Sequence, residues 1–242
     1  VGPSRVFDDK PSRVTWLYTH TVPITHDLDD TLQAETYQEI IRGFTGAEGH
    51  ERPILPQPTE AQQAKVAAFL SSAAGKRKIG LCVKGTFGLK TWPKEYFVEV
   101  VRALHERYDA AFYVTGAPGD HAYAEEVIQA IGLPVENLCG KTNLMELAAF
   151  YAQLDLLVSV DTGGAHIAAV TGVPLVVMFG CTSPRRWHPI SDNAKAFTSN
   201  EPCCPCSYGE RDCPSYPQPD CLYHVRPEEV IGSCVRFLDG TM

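Results

Sequence analysis

The chain has 242 residues, 44% of them hydrophobic, and a formal net charge of −8. That length can bury a sizeable core in one or two domains. No run of about 18 apolar residues occurs, so no transmembrane helix is expected, and scattered basic residues on an acidic chain argue against nonspecific nucleic-acid binding. The first residues, VGPSRVFDDK, lack a starting Met and the charged-then-apolar profile of a signal peptide, which suggests a fragment.

Residues 13–18, RVTWLY, read as a short strand, followed by a polar loop from Thr19 to Asp30. Ala34–Phe44 reads as a weakly amphipathic helix. Pro53, Pro56 and Pro58 then form a connection no helix survives, which sets a domain boundary near residue 50.

Beyond it the pattern is regular. Thr59 with Gln62 is a capping box that opens a helix to about Ala74. Lys78–Val83 is a strand. Pro93 suits the first turn of a helix to about Tyr108, with Phe97, Val101 and Leu104 on one face. Ala110–Thr115 is a strand, Asp120 to about Ile131 a helix, and Val135–Cys139 a short strand. Asn143 with Glu146 is a second capping box, opening a helix to about Gln153. An apolar run from Leu154 to Val160 ends at Asp161. A tight turn, a short helix around Ile167–Val170 and a second apolar run, Leu175–Phe179, follow. A late strand near Phe197 and a helix from Pro227 to about Leu238 complete the chain. Strands alternating with helices over short links predict an α/β fold: a Rossmann-like, doubly wound parallel sheet covered on both faces.

In such a sheet the loops after the strands share one rim. Lys84–Trp92, Gly116–Asp120, Gly140–Asn143, Asp161–His166 and Gly180–Trp187 are all polar or glycine-rich. The sharpest is Asp161-Thr162-Gly163-Gly164-Ala165-His166, at a strand's carboxyl end and a helix's amino end. Free N–H groups there, aided by the helix dipole, favour a phosphate or diphosphate, and the glycines let a ligand approach the backbone. An ordinary packing turn is the competing reading. Lys90 can neutralise a phosphate and Thr86 can donate a hydroxyl. Asp120 is either a helix cap or an acceptor for ribose hydroxyls. His166 is a general acid, a phosphate donor or a structural histidine. Arg185 and Arg186 bring positive charge to the rim or form a plain surface pair.

Nine cysteines are present. Cys82, Cys139, Cys181 and Cys234 read as small core or pocket-wall residues. Cys203, Cys204, Cys206, Cys213 and Cys221 form a biased run. Its spacing matches none of the common CxxC pairs of zinc sites, and five is an odd number. Zinc, disulfides and free thiols all stay open.

Several of these pieces together resemble glycosyltransferase family 9, the lipopolysaccharide heptosyltransferases. They are Lys90-Thr91-Trp92-Pro93, the Gly116-Ala117-Pro118 turn with Asp120, Leu144-Met145-Glu146-Leu147-Ala148, and above all Ser159 to His166 with Gly172-Val173-Pro174 and Phe179-Gly180. The cysteine run ending in Pro227-Glu228-Glu229-Val230 is similar too. The resemblance covers roughly residues 55–242. It implies the GT-B fold, two Rossmann-like domains around a cleft. Residues 51–242 would be the C-terminal nucleotide-sugar-binding domain, and residues 1–50 the end of the N-terminal domain with the crossing between them.

The resemblance further implies an ADP-heptose-type donor bound without a metal or other cofactor, and a lipid-linked, lipopolysaccharide-type acceptor. It implies a cytoplasmic enzyme at the inner face of the membrane. Lys90 and Thr86 would contact the diphosphate, together with backbone N–H groups of Thr162 and Gly163 beside Gly164. Asp120 would hold the ribose and Thr142 would lie on the adenine side. Asp161 would lie near the donor sugar and His166 beside the phosphates. Two departures stand out. The loop before Lys90, Val83-Lys84-Gly85-Thr86-Phe87-Gly88, lacks the family's Pro-Gly element. The family's general base and acceptor site lie in the N-terminal domain, so no catalytic base is assigned. A stand-alone nucleotide-binding module, or a GT-B relative using a UDP or GDP sugar, are the other readings.

Overall fold

The structure is a computed structural model that describes residues 1–6, 10–47, 53–206 and 212–241. The expected boundary near residue 50 lies outside the described residues. The described residues of the N-terminal stretch begin with short strand pairs. Gly2–Pro3 (β1) lies parallel to Thr21–Val22 (β4), and Arg5–Val6 (β2) is antiparallel to Lys10–Pro11 (β3). Helix α1 (Gln33–Thr45) follows and ends at Gly46, left-handed at φ 70°, where a side chain would be strained. Residues 13–18 do not form the expected strand. Thr15–Leu17 is a 3-10 turn with Trp16 78% exposed. The run has strand-forming residues but no neighbouring edge, and strand preference is realised only against a partner.

The rest is one sheet. Helix α2 (Glu60–Phe69) starts at the Thr59 capping box and stops earlier than expected, with a separate 3-10 turn at Ser71–Ala73. Then come β5 (Arg77–Cys82), α3 (Lys94–Arg107), β6 (Ala110–Val114), α4 (His121–Ile131), β7 (Val135–Asn137) and α5 (Leu144–Tyr151). They are followed by β8 (Leu156–Val160), α6 (Gly163–Thr171), β9 (Leu175–Met178), α7 (Pro184–Trp187), β10 (Ala194–Phe197), α8 (Asp220–Tyr223) and α9 (Pro227–Leu238). Six strands pair in the order β10-β9-β8-β5-β6-β7, every neighbour parallel. Every residue of β8 and β9 is buried. This is why those strands read as unbroken apolar runs rather than alternating ones: helices cover both faces.

Each face has its own core. Phe97, Val101 and Leu104 of α3 pack with Val127 of α4 and Val230 of α9 on one side. Val66 of α2, Phe150 of α5 and Ala168 of α6 pack on the other. The chain leaves β5 for β6 and β7, then returns to lay β8 along the opposite edge of β5. The sheet order therefore reverses between β5 and β8. In open α/β sheets the crevice outside the carboxyl ends of the strands at such a reversal is the binding place.

Candidate functional site

The loops after β5 and β8 meet at that reversal. Lys90, from the first loop, donates from Nζ to Asp161 Oδ2 at 2.7 Å. The pair is poorly exposed, with side-chain accessibilities of 19% and 6%. Thr182 Oγ1, from the loop after β9, donates to the same oxygen at 2.6 Å. Three strand ends are thus joined on one carboxylate. Gly85 is required by this loop's path: a Cβ there would stand 2.5 Å from Lys90 Cβ and 2.6 Å from its carbonyl oxygen. The departure Val83 to Gly88 is therefore a turn folded back on Lys90. Thr91 pins it, its Oγ1 accepting from Gly85 N–H at 3.1 Å and donating to Phe87 O at 3.2 Å. Thr86 itself is exposed on this loop.

Helix α6 begins earlier than its apolar residues suggest, at Gly163. Its N-cap Thr162 is extended, at φ −144° and ψ 167°, and makes no side-chain cap bond. The cap side chain therefore satisfies none of the first-turn N–H groups; that of Ala165 donates to Thr162 O at 3.1 Å. A Cβ at Gly163 would meet open space, whereas one at Gly164 would stand 3.2 Å from Tyr151 Oη and 3.3 Å from Cys82 Sγ. Gly163 faces out and Gly164 faces a buried network. In that network Cys82, Thr115 and Tyr151 lie 2.8–3.2 Å from one another. Burial pushes the pKa of the Cys82 thiol and of the Tyr151 phenol up, so both stay protonated and can donate.

His166 is half-buried one turn into α6. Burial pushes its pKa down, the Asp161 carboxylate opposes that, and Lys90 and His188 reinforce it. The imidazole is neutral at neutral pH and carries one N–H to donate.

The other predicted residues gather at the β6–β7 side of the rim. Asp120 Oδ2 accepts from Ala117 N–H at 2.9 Å, and Oδ1 pairs with Lys84 Nζ at 3.2 Å. Asp120 thus stabilises its own turn and keeps a partly exposed carboxylate beside a cation. It ends a 3-10 turn, Pro118–Asp120, and α4 itself starts at His121. Gly140, left-handed at φ 76°, lets the loop carrying Thr142 touch this turn: a Cβ would stand 2.9 Å from Pro118 Cα. Thr142 is half-buried immediately before the Asn143 cap.

The arginine pair has a structural role. Arg186 is buried; its Nη1 donates to Asp29 Oδ1 at 3.0 Å and its Nε to Gln33 Oε1 at 2.9 Å. Arg185 pairs with Asp30. These bonds clasp the N-terminal stretch to the loop after β9. Beside the clasp a cavity of about 380 Å³ opens, with Phe87, Lys90, Thr182, Arg186 and Trp187 in its wall. Sequence reasoning missed Thr182 and Lys84. Both lie in loops it singled out, but their partners are far along the chain.

The fold and the rim define a class: a parallel α/β domain whose sheet reversal brings together an uncapped helix start and a half-buried lysine. The chain belongs to glycosyltransferase family 9 (heptosyltransferase), whose model matches residues 6–216. It is 30% identical over 171 residues to lipooligosaccharide heptosyltransferase 2 of Campylobacter jejuni, covering 69% of this chain and 53% of that protein. It is 35% identical over 154 residues to the Haemophilus influenzae lipooligosaccharide heptosyltransferase 2, covering 59% and 43%. The chain thus spans about half the length of these curated relatives. Its fold matches a family 9 glycosyl transferase from Veillonella parvula with a TM-score of 0.75 and 20% identity, over 94% of this chain and 65% of that one. It matches Escherichia coli ADP-heptose lps heptosyltransferase II with a TM-score of 0.68 and 21% identity, over 90% and 66%.

Proposed function

We propose that this chain is the donor-binding half of a heptosyltransferase-like enzyme, transferring a sugar from an ADP-heptose-type donor to a lipopolysaccharide-type, lipid-linked acceptor. The single observation that carries this is the meeting of the uncapped α6 with the Lys90–Asp161 pair at the sheet's reversal point. The leaving group of such a transfer is a nucleoside diphosphate, and its charge grows as the bond to the anomeric carbon breaks. Donors fixed in advance stabilise that charge at no reorganisation cost. Thr162, Gly163 and Gly164 supply backbone N–H groups, and Lys90 a positive charge. His166, neutral, donates an N–H to a phosphate oxygen. With Asp161 Oδ2 held by Lys90 and Thr182, Oδ1 is the atom left to accept a hydroxyl of the donor sugar. Asp120 and Thr142 take the nucleoside end, with Thr86 at the mouth. No metal is assigned to the transfer.

An inverting transfer also needs a base for the acceptor hydroxyl. That base and the acceptor site are assigned to protein beyond residues 51–242. Tyr37, Ile41 and Phe44 of α1, at helical spacing, are each more than half exposed. Such a stripe suits packing against a further domain, which supports reading the N-terminal stretch as part of the other half. No helix among the described residues is long and apolar enough to cross a membrane. Attachment to the inner face of the membrane would then come through the acceptor.

The test is calorimetric titration with ADP, UDP and GDP, without and with magnesium. ADP should bind without metal, and Lys90→Ala should weaken it more than tenfold, the loss of one well-placed charged contact. Preference for UDP would reassign the donor, and equal binding by Lys90→Ala would overturn the site.

A further inference from the structure

The cavity beside the clasp is not explained by the contacts assigned so far. Lys90 and Thr182 line its wall, and both bind Asp161 Oδ2, where the proposed function places the diphosphate. The bond that breaks in the transfer joins that diphosphate to the anomeric carbon. The donor sugar therefore lies within one bond of the groups that hold the phosphates, and this cavity of about 380 Å³ begins there. Small-ligand pockets run upward from about 300 Å³ and combine apolar walls with a few fixed polar groups.

Phe87 and Asp29 give the cavity that combination. Phe87 is 40% exposed and packs in neither core of the sheet. Its ring lines the cavity, with Lys90 Nζ 5.9 Å from the ring centroid. It offers a flat apolar surface, and a sugar ring has one to match in its C–H groups. Asp29 comes from the N-terminal stretch. Its Oδ1 accepts from the buried Arg186 at 3.0 Å, and its carbonyl oxygen accepts from Ser183 Oγ at 3.2 Å. The carboxylate is thus held in place, yet its side chain is 47% exposed and lines the cavity. Oδ2 is left to accept a hydroxyl. A group fixed in advance loses little freedom when it binds. The charges of the cavity are already matched, Lys90 to Asp161 and Arg186 to Asp29. An anionic ring would meet the Asp29 carboxylate, so the fit is to an uncharged ring with several hydroxyls.

We propose that Phe87 and Asp29 select the transferred sugar, Phe87 as the platform for its C–H face and Asp29 as an acceptor for one of its hydroxyls. This rests on the donor-site reading above and adds the residues that read the sugar rather than the nucleotide. It also gives the clasp a use beyond stability. Arg186 and Ser183 tie the N-terminal stretch to the loop after β9, and the tie brings a residue of that stretch to the donor sugar.

Calorimetric titration of the chain with ADP and with ADP-heptose separates the two ends of the donor. Phe87→Ala and Asp29→Asn should each weaken ADP-heptose binding about fivefold, the order of one hydrogen bond's net contribution, and leave ADP binding unchanged. Asparagine keeps an oxygen for Arg186 to bind. Gln33→Ala loosens the same clasp from outside the cavity wall and should change neither ligand. Equal losses on ADP and ADP-heptose would put the effect at the phosphates and overturn the proposal. So would ADP-heptose binding left unchanged by both variants. A loss in Gln33→Ala equal to that in Asp29→Asn would reduce Asp29 to its part in the clasp. If ADP itself fails to bind the parent chain, the donor-site reading falls first, and this inference falls with it.

Discussion

Helices α5 and α6 start on the same rim of the same sheet and treat their first turns in opposite ways. At α5, Asn143 Oδ1 accepts from Glu146 N–H and Glu146 Oε2 accepts from Asn143 N–H, both at 2.9 Å, and Lys65 Nζ binds that carboxylate at 2.7 Å. The protein has completed this helix end itself. At α6, Thr162 caps nothing, and two glycines open the first turn, one of them onto empty space. Orphan N–H groups at a helix start must find partners. Where the sequence supplies them, the end is architecture; where it withholds them beside the half-buried Lys90, the end is the donor site we propose.

The hardest test of that contrast is Lys90→Met. It strands Asp161 in a poorly exposed position with Thr182 as its remaining partner. Removing one member of a buried pair costs about 3 kcal/mol. Chemical denaturation should show a loss of that order, with nucleotide binding lost alongside. Replacing Asp161 as well, by Asn, should restore part of the stability and none of the binding.

The two glycines sharpen the point. Gly164→Ala pushes a methyl group against Tyr151 and Cys82 and should cost about 1–2 kcal/mol, as overpacking does. Gly163→Ala meets no protein atom and should be neutral or stabilising by up to about 1 kcal/mol, since alanine outdoes glycine in a helix. It should nonetheless weaken ADP binding in calorimetry. Undiminished binding would remove the ligand from that face of the turn.

Asn143→Ala is the reciprocal case. It should cost about 1 kcal/mol in melting experiments, the usual worth of a cap, and leave nucleotide binding unchanged.

The smallest effect concerns His166. Its folded pKa is held below the unfolded value of about 6.5. The unfolded chain therefore binds the extra proton first. Stability contributed by the neutral ring is complete above the unfolded pKa and falls as pH drops below it. His166→Gln should flatten that part of the stability–pH curve. An unchanged slope would mean that another group titrates there.

Most of the sheet was legible in the sequence because its signals are local. The capping boxes at Thr59 and Asn143 and the apolar runs of β8 and β9 each depend on residues within one element. The failures have a common cause. The strand expected at residues 13–18 lacked a partner edge, and the start of α6 was hidden because Gly163 and Gly164 carry little helical signal. The arginine pair faced two open readings, which Asp29, Gln33 and Asp30 decided.

By itself the sequence determined the alternation of strands and helices, the Asp161–His166 turn after an apolar strand, and the family likeness those motifs carry. These follow from periodicity, caps and glycine, all short-range. Only the tertiary structure decided what the turn is used with. Lys90 reaches Asp161 across 71 residues, and Thr182 reaches it across 21. Cys181 joins Cys221 around one cavity. Such pairings depend on the order in which parallel strands are laid into the sheet, since that order chooses which loops share the rim.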